Sequence, residues 1–378
     1  MQLNLPEPSA DALAASRALR DLIAADIRRN AGWIPFTRYM ELALYAPGLG
    51  YYSGGAAKLG KDGDFTTAPE ITPLFGNTLA RVAADLMAQS APRILEFGAG
   101  TGKLAHDILT ELQAMGVEID SYAIVELSGE LRGRQQETLR GFPQASWLDA
   151  VPATFSGVVI GNEVLDAMPV NLVVKSGDRW LERGVGISDE GFIFSDRPCD
   201  ASLVAQIPDA DELPDAYLTE VHPVASGFMH TLGAMLTNGA AIFPDYGFPA
   251  HEYYHPQRAQ GTLMCHYRHR AHPDPFYHPG LQDITAHVDF SAMARAAIDS
   301  GLDLLGYTSQ ASFLLDAGIG EVLMRTPPDD AMRYLPQANA VQKLVSPAEM
   351  GELFKVLTVG KGVELPARFA RSDRSHRL

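Results

Sequence analysis

Glu96-Phe-Gly-Ala-Gly-Thr-Gly102 stands between the apolar run Arg93-Ile-Leu-Glu-Phe97 and an amphipathic stretch that begins at Lys103. Strand, glycine turn and helix in that order open a parallel α/β unit. Glycines let the backbone take positive φ and come close to a ligand. The first turn of the following helix offers N–H groups with no partner in the helix. In open α/β sheets ligands sit at the carboxyl ends of the strands, where the strand order reverses.

Three ligands compete for such a turn. A phosphate loop needs G-x-x-x-x-G-K-[ST]. Counting back from Gly102-Lys103 puts Phe97 where the first glycine belongs, and Leu104 replaces the hydroxyl residue. That frame is excluded. The frame Gly100-Thr-Gly102-Lys-Leu-Ala105 meets the dinucleotide pattern G-x-G-x-x-A, which keeps an NAD-dependent oxidoreductase as an alternative. The frame E-x-G-x-G-x-G over Glu96, Gly98, Gly100 and Gly102 suits S-adenosylmethionine. Glu126, at the tip of the next strand, is placed to hold an adenosine ribose in either case. Asp149 ends the unit after that. It either accepts from an adenine amino group or is a solvated turn acid.

Outward from the turn, strand and helix patterns alternate. Helices are expected over 103–115 and 128–139, and strands over 121–126, 145–148 and 157–161. This β-α-β-α-β order implies a doubly wound, mostly parallel sheet with helices on both faces. Upstream, 9–30, 37–44 and 72–88 read as helices, separated by loop-like sequence over 47–70. Downstream, 172–174, 179–185 and 191–194 read as strands of a β-meander insertion. A helix over 223–236, a strand over 240–243, a long loop over 248–289, a helix over 291–300 and late strands over 302–307 and 352–359 complete the pattern. The chain thus divides into an N-terminal helical and loop segment covering the crevice (1–75), the first part of a core (76–171), the insertion (172–220) and the rest of the core (221–378).

The buried run Gly157-Val-Val-Ile-Gly161 aims its carboxyl end at the same crevice, and Asn162-Glu163-Val-Leu-Asp166 follows it. If a helical turn starts there, Glu163 and Asp166 share a face. Two carboxylates on one face suit a guanidinium, which offers five donors in a rigid fork. Methyl transfer to such a nitrogen is an in-line displacement, so holding the nucleophile in line is most of the task. The plain reading makes Asp166 a capping acid and Glu163 a solvated side chain.

The chain has 378 residues, 46% of them apolar and 20% charged, which suits a packed core. Its net charge of −16 disfavours non-specific nucleic-acid binding and favours small-molecule or protein partners. Two cysteines, Cys199 and Cys265, make a disulfide framework improbable. No apolar run spans a membrane, and the first residues resemble no targeting peptide, so a cytoplasmic location is expected. Cys265, His266, His269, His272 and His278 crowd one loop. Their spacing matches no zinc motif, and Arg268 and Arg270 between them would repel a cation, so no metal is expected.

Further segments add a resemblance: Gly48-Leu-Gly-Tyr-Tyr52, Gly63-Asp-Phe-Thr-Thr-Ala-Pro-Glu70, Gly161-Asn-Glu-Val-Leu-Asp-Ala-Met-Pro169, Asp245-Tyr-Gly247, Gln282-Asp-Ile-Thr-Ala-His-Val-Asp-Phe290 and Met350-Gly-Glu-Leu-Phe-Lys-Val356. With the glycine turn they resemble the MidA-type methyltransferases over most of the chain. That family includes the mitochondrial complex I assembly factor that methylates an arginine of a core subunit. The resemblance implies a Rossmann-like class I methyltransferase core with an N-terminal helical segment and extra elements for substrate. It implies S-adenosyl-L-methionine held around Glu96, Gly98, Gly100, Gly102 and Glu126; from their places at strand ends, Asn162 and Asp149 are further cofactor candidates. It makes Asp64, Glu70, Glu163 and Asp166 candidates for receiving the target side chain. The implied partner is a protein, a complex I subunit of the 49 kDa type. A non-catalytic assembly chaperone would keep the same residues and stays as a second alternative. Oligomeric state is left open.

Overall fold

The computed structural model describes residues 5–54, 67–126 and 128–378. Asp64 lies outside the described residues. The chain forms two compact units. One comprises Thr66–Leu165, Phe228–Gly247 and Met293–Leu378; the other comprises Met1–Phe65, Asp166–Gly227 and Phe248–Ala292.

The first unit is built on a mostly parallel sheet. From Arg93–Phe97 the chain steps outward to Ser121–Val125 and Ala145–Leu148, all parallel. It then returns to the other side of Arg93–Phe97 with Phe155–Gly161, followed by Leu236–Phe248. The order therefore reverses between Arg93–Phe97 and Phe155–Gly161. The strands Phe354–Lys361 and Asp303–Ser309 extend that second half antiparallel, with the later strand inserted next to Leu236–Phe248. Ile94, Leu95, Val158, Val159 and Ile160 are buried, as continuous apolar strands covered on both faces must be.

The helices that cover this sheet have legible causes. Pro73–Met87 starts at Thr72, whose hydroxyl accepts from the Leu74 N–H at 3.3 Å, and proline takes the first helical position. Its Leu74, Leu79, Val82 and Leu86 are buried against Leu104, Ile108 and Leu112 of Lys103–Ala114. The helices Gln310–Asp316, Ile319–Leu323 and Ala331–Val345 bury Phe313, Leu314, Val322, Val341 and Leu344 in the same core. These three are absent from the sequence reading. The first two are too short to show a period, and Pro336 interrupts the third.

The second unit holds the meander. Asn171–Ser176, Arg179–Ser188 and Gly191–Pro198 pair antiparallel, and Leu218–Val221 and Ile34–Pro35 extend the sheet. Leu19, Ile23 and Ile27 of Ala10–Arg29 pack with Phe36, Tyr39 and Met40 of Phe36–Tyr45 and with Val185 and Leu172. The stretch 248–289, expected as a loop, contains the helix Ala250–Tyr253 and a small sheet of Arg270–His272, Met264–Tyr267 and Asp283–Thr285. Its strands are three and four residues long, so alternation has no room to show.

Candidate functional site

Register decides which residues share the carboxyl edge of the first unit's sheet. Phe97 lies opposite Val125 on one side and Gly161 on the other, and Val125 lies opposite Leu148. The next residue of each strand is therefore Gly98, Glu126, Asn162 and Asp149. Four of the residues singled out from sequence emerge at one level, beside the reversal of strand order, where open α/β sheets bind ligands.

Gly98, Gly100 and Gly102 all have positive φ, at 65, 53 and 81°. A Cβ on Gly98 would stand 2.7 Å from Val164 Cγ1. The Asn162–Leu165 segment thus packs directly on the glycine turn. On the outer side, Thr101 Oγ1 donates to Glu70 Oε1 at 2.7 Å. Glu70, expected near the target side chain, is tied to the turn.

Glu96 is buried, and Tyr122 Oη donates to its Oε2 at 2.8 Å. Burial pushes its pKa up to about 8; the Tyr122 hydrogen bond opposes this and the charge of Glu126 adds to it. Glu126 accepts from the Ser128 N–H through Oε1 at 2.8 Å and from Gln135 Nε2 through Oε2 at 2.9 Å. The same Gln135 Nε2 donates to the Gly100 carbonyl at 3.0 Å, and Trp147 Nε1 donates to Gln135 Oε1 at 2.9 Å. Gln135 and Trp147 are absent from the sequence reading. One signal was available: the helix Gly129–Thr138 carries no apolar stripe, so a polar residue has to dock it, and Gln135 is its buried residue. Asp149 is exposed and forms an ion pair with Arg132 at 2.8 Å.

No helix follows Asn162. Glu163 has φ 52°, and its N–H donates to the Pro244 carbonyl at 2.9 Å. The expected helical turn that would set Glu163 and Asp166 on one face is not formed. A side chain at positive φ cannot continue a right-handed helix. Asp245, fully buried, accepts instead from the Leu165 N–H and from the Tyr246 N–H, each at 2.9 Å. Glu163 belongs to the first unit and Asp166 to the second. Glu163 Oε1 accepts from Asn162 Nδ2 at 3.0 Å, and the buried Asn162 Oδ1 has no hydrogen-bond partner among the described residues. In the second unit Asp166 is buried and its carbonyl accepts from the Ala286 N–H at 3.0 Å.

The donor and acceptor set separates the two cofactor frames. Lys103, which could have faced a pyrophosphate, is spent on Asp107 at 2.6 Å. What surrounds the turn is the Glu126 carboxylate, the buried Glu96 carboxyl and the Asn162 Oδ1, which has no hydrogen-bond partner among the described residues. Acceptors and negative charge fit a ligand with hydroxyls, an ammonium and a sulfonium, and repel a pyrophosphate.

Comparison with known proteins agrees. Residues 74–308 match the family described as "Putative S-adenosyl-L-methionine-dependent methyltransferase". A Burkholderia thailandensis protein crystallised with S-adenosyl-homocysteine shares 58% identity at TM-score 0.94, covering 99% of this chain and 100% of that one. The Danio rerio protein named as the mitochondrial protein arginine methyltransferase NDUFAF7 is 30% identical, over 89% of this chain and 86% of its own. The Caenorhabditis elegans homologue of that name is 28% identical, over 79% and 76%. Those relatives are named mitochondrial, which lends no support to a cytoplasmic location. Among the described residues no helix is long and apolar enough to cross a membrane. With a glycine turn among acidic side chains, a doubly wound sheet and these relatives, the chain belongs to this family of S-adenosyl-L-methionine-dependent methyltransferases.

Proposed function

We propose that the chain methylates a guanidinium nitrogen of an arginine on a protein partner. The carrying observation is Glu163, held at positive φ at a strand end, fixed by Asn162 and packed through Val164 against the glycine turn. A residue kept in that region at the edge of a binding turn points to function, because the conformation is strained for a side chain and persists only where its surroundings hold it. S-adenosyl-L-methionine, when bound, supplies a methyl group on a sulfonium sulfur, which departs as a neutral thioether.

Glu163 would hold the arginine by a charge-assisted pair, localise its charge and leave one nitrogen directed at the methyl carbon. The new bond is carbon to nitrogen, the broken bond is carbon to sulfur, and the nitrogen gives up one proton to a carboxylate or to water. Glu126 is proposed for the ribose, Asn162 Oδ1 for the ammonium, and Asp149 for the adenine amino group. Glu70 is proposed to brace the turn through Thr101, a change from the target-side role expected from sequence. The names of the relatives support the arginine reading, and the family resemblance supports a complex I subunit as the partner.

The test incubates the protein with methyl-tritiated S-adenosylmethionine and that subunit, and maps the label by mass spectrometry. Label on an arginine nitrogen, lost with Glu163→Gln, is the expected result. Stable partner binding without methylated product would favour the non-catalytic assembly role.

A further inference from the structure

The helix Gly129–Thr138 has an unusual attachment. Leu131 is its single apolar side chain beside glycine at 129 and 133, so no apolar stripe docks it. Two of its side chains fasten it to the turn. Gln135 Nε2 reaches the Gly100 carbonyl at 3.0 Å, and Thr138 Oγ1 reaches the Thr101 carbonyl at 2.9 Å. The helix is hooked by hydrogen bonds onto two successive carbonyls of the cofactor turn.

The amide of Gln135 has no freedom of assignment. An indole nitrogen can only donate, so the atom facing Trp147 must be the amide oxygen. The amide nitrogen then faces Gly100 and Glu126, two acceptors, with one hydrogen for each. Every polar atom of this fully buried side chain is used. The carboxylate of Glu126 is held at both oxygens, by Gln135 on one and the Ser128 N–H on the other.

We propose that Gln135 is the positioning residue of the cofactor site, locking the Glu126 carboxylate and the Gly98–Gly102 turn in one arrangement and linking both to the Trp147 indole. The inference rests on the reading that Glu126 holds the cofactor ribose. A free glutamate samples several rotamers and gives up that freedom on binding, whereas a carboxylate locked beforehand does not. Both hydroxyls of the ribose then meet oxygens already in place.

The isosteric change Gln135→Glu tests this through pH. It swaps the donor for an anion that faces Glu126 and the Gly100 carbonyl. Protonated, the new carboxyl can still donate one hydrogen and still accept from Trp147. The other charges near the site are Glu96 with Tyr122 on the sheet, Glu70 on Thr101, Lys103 with Asp107 on the following helix, and Arg132 with Asp149. All are common to both proteins, so the difference between variant and wild type isolates residue 135.

The measurement is S-adenosyl-homocysteine affinity by calorimetry from pH 6 to 8.5, with thermal melts confirming the fold. With the Glu126 brace lost, Gln135→Glu is expected to bind about tenfold more weakly than wild type at the alkaline end, the scale of one buried charge-assisted bond. The deficit should shrink as pH falls. Gln135→Ala should bind about tenfold more weakly at every pH. Wild-type affinity in Gln135→Glu at high pH, or a deficit that ignores pH, overturns the proposal. Glu126→Ala is run beside them: if it binds as wild type does, the ribose reading fails; if it alone binds weakly, only the role of Gln135 fails.

Discussion

The phenol of Tyr122 donates to Glu96 at 2.8 Å in a part of the sheet where both residues are buried. The fold holds this carboxyl at a pKa of about 8 against an ordinary 4.5, chiefly by burial. Between those values the folded protein keeps a proton that the unfolded chain has released. Stability therefore falls as pH rises through that window and levels off above it. Melting temperatures of the ligand-free protein across pH 4.5 to 9 should show the decline, and Glu96→Gln should flatten it. Tyr122→Phe removes a bond that favours the ionised form and should extend the decline to higher pH. A Glu96→Gln protein with the wild-type pH profile would refute this.

Cofactor binding should couple to the same proton. A cationic ligand beside Glu96 favours its ionised form, so binding near pH 7 should release a fraction of a proton. Calorimetry of S-adenosylmethionine in two buffers of different ionisation enthalpy reads this directly. Equal heats in both buffers would show that Glu96 does not sense the ligand.

Gly98→Ala should weaken cofactor binding by at least about tenfold, since a left-handed alanine costs roughly 1–2 kcal/mol before any clash. The clash adds to this, because the new Cβ would stand 2.7 Å from Val164 Cγ1. Adding Val164→Ala relieves contact but not φ, so the double variant should recover affinity only in part. Full recovery would mean that strain at Gly98 is unimportant.

Asp245 holds two backbone N–H groups at the end of its strand. Asp245→Ala leaves them buried and unsatisfied and should cost about 1–3 kcal/mol in stability. Denaturant unfolding measures it. Turnover should fall more than cofactor affinity does, because the segment that loosens carries Glu163.

Glu163→Gln keeps size and hydrogen bonding while removing the charge. Methyl transfer to an arginine substrate should drop about a hundredfold, the scale of a lost acid–base or charge-positioning group. Affinity for S-adenosyl-homocysteine, measured separately, should stay within about threefold, since less than one net hydrogen bond is at stake. A large loss of cofactor affinity would place Glu163 in the cofactor pocket instead.

Much of the fold was legible. The strand Arg93–Phe97, the turn after it and the helices Lys103–Ala114 and Pro73–Met87 lie within a residue or two of the expected bounds. Periodicity and glycine placement are local signals, and these elements are long enough to carry them. The small sheet inside 248–289 was not legible, because strands of three and four residues carry no period. The conformation of 162–166 was misread. The acids at this strand end matched a helical spacing, but Asp245, some 80 residues further on, captures the Leu165 N–H in another geometry.

By itself the sequence determined the doubly wound core, the glycine turn and the acids that end its strands, because backbone sterics and side-chain period act over neighbouring residues. Only the tertiary structure decided which of them meet. Parallel register brings Gly98, Glu126, Asn162 and Asp149 to one edge. Close packing then selects Gln135 to brace Glu126 and Val164 to lie against Gly98. Those choices depend on contacts between residues far apart in the chain, whose free energy exists only once the sheet is assembled.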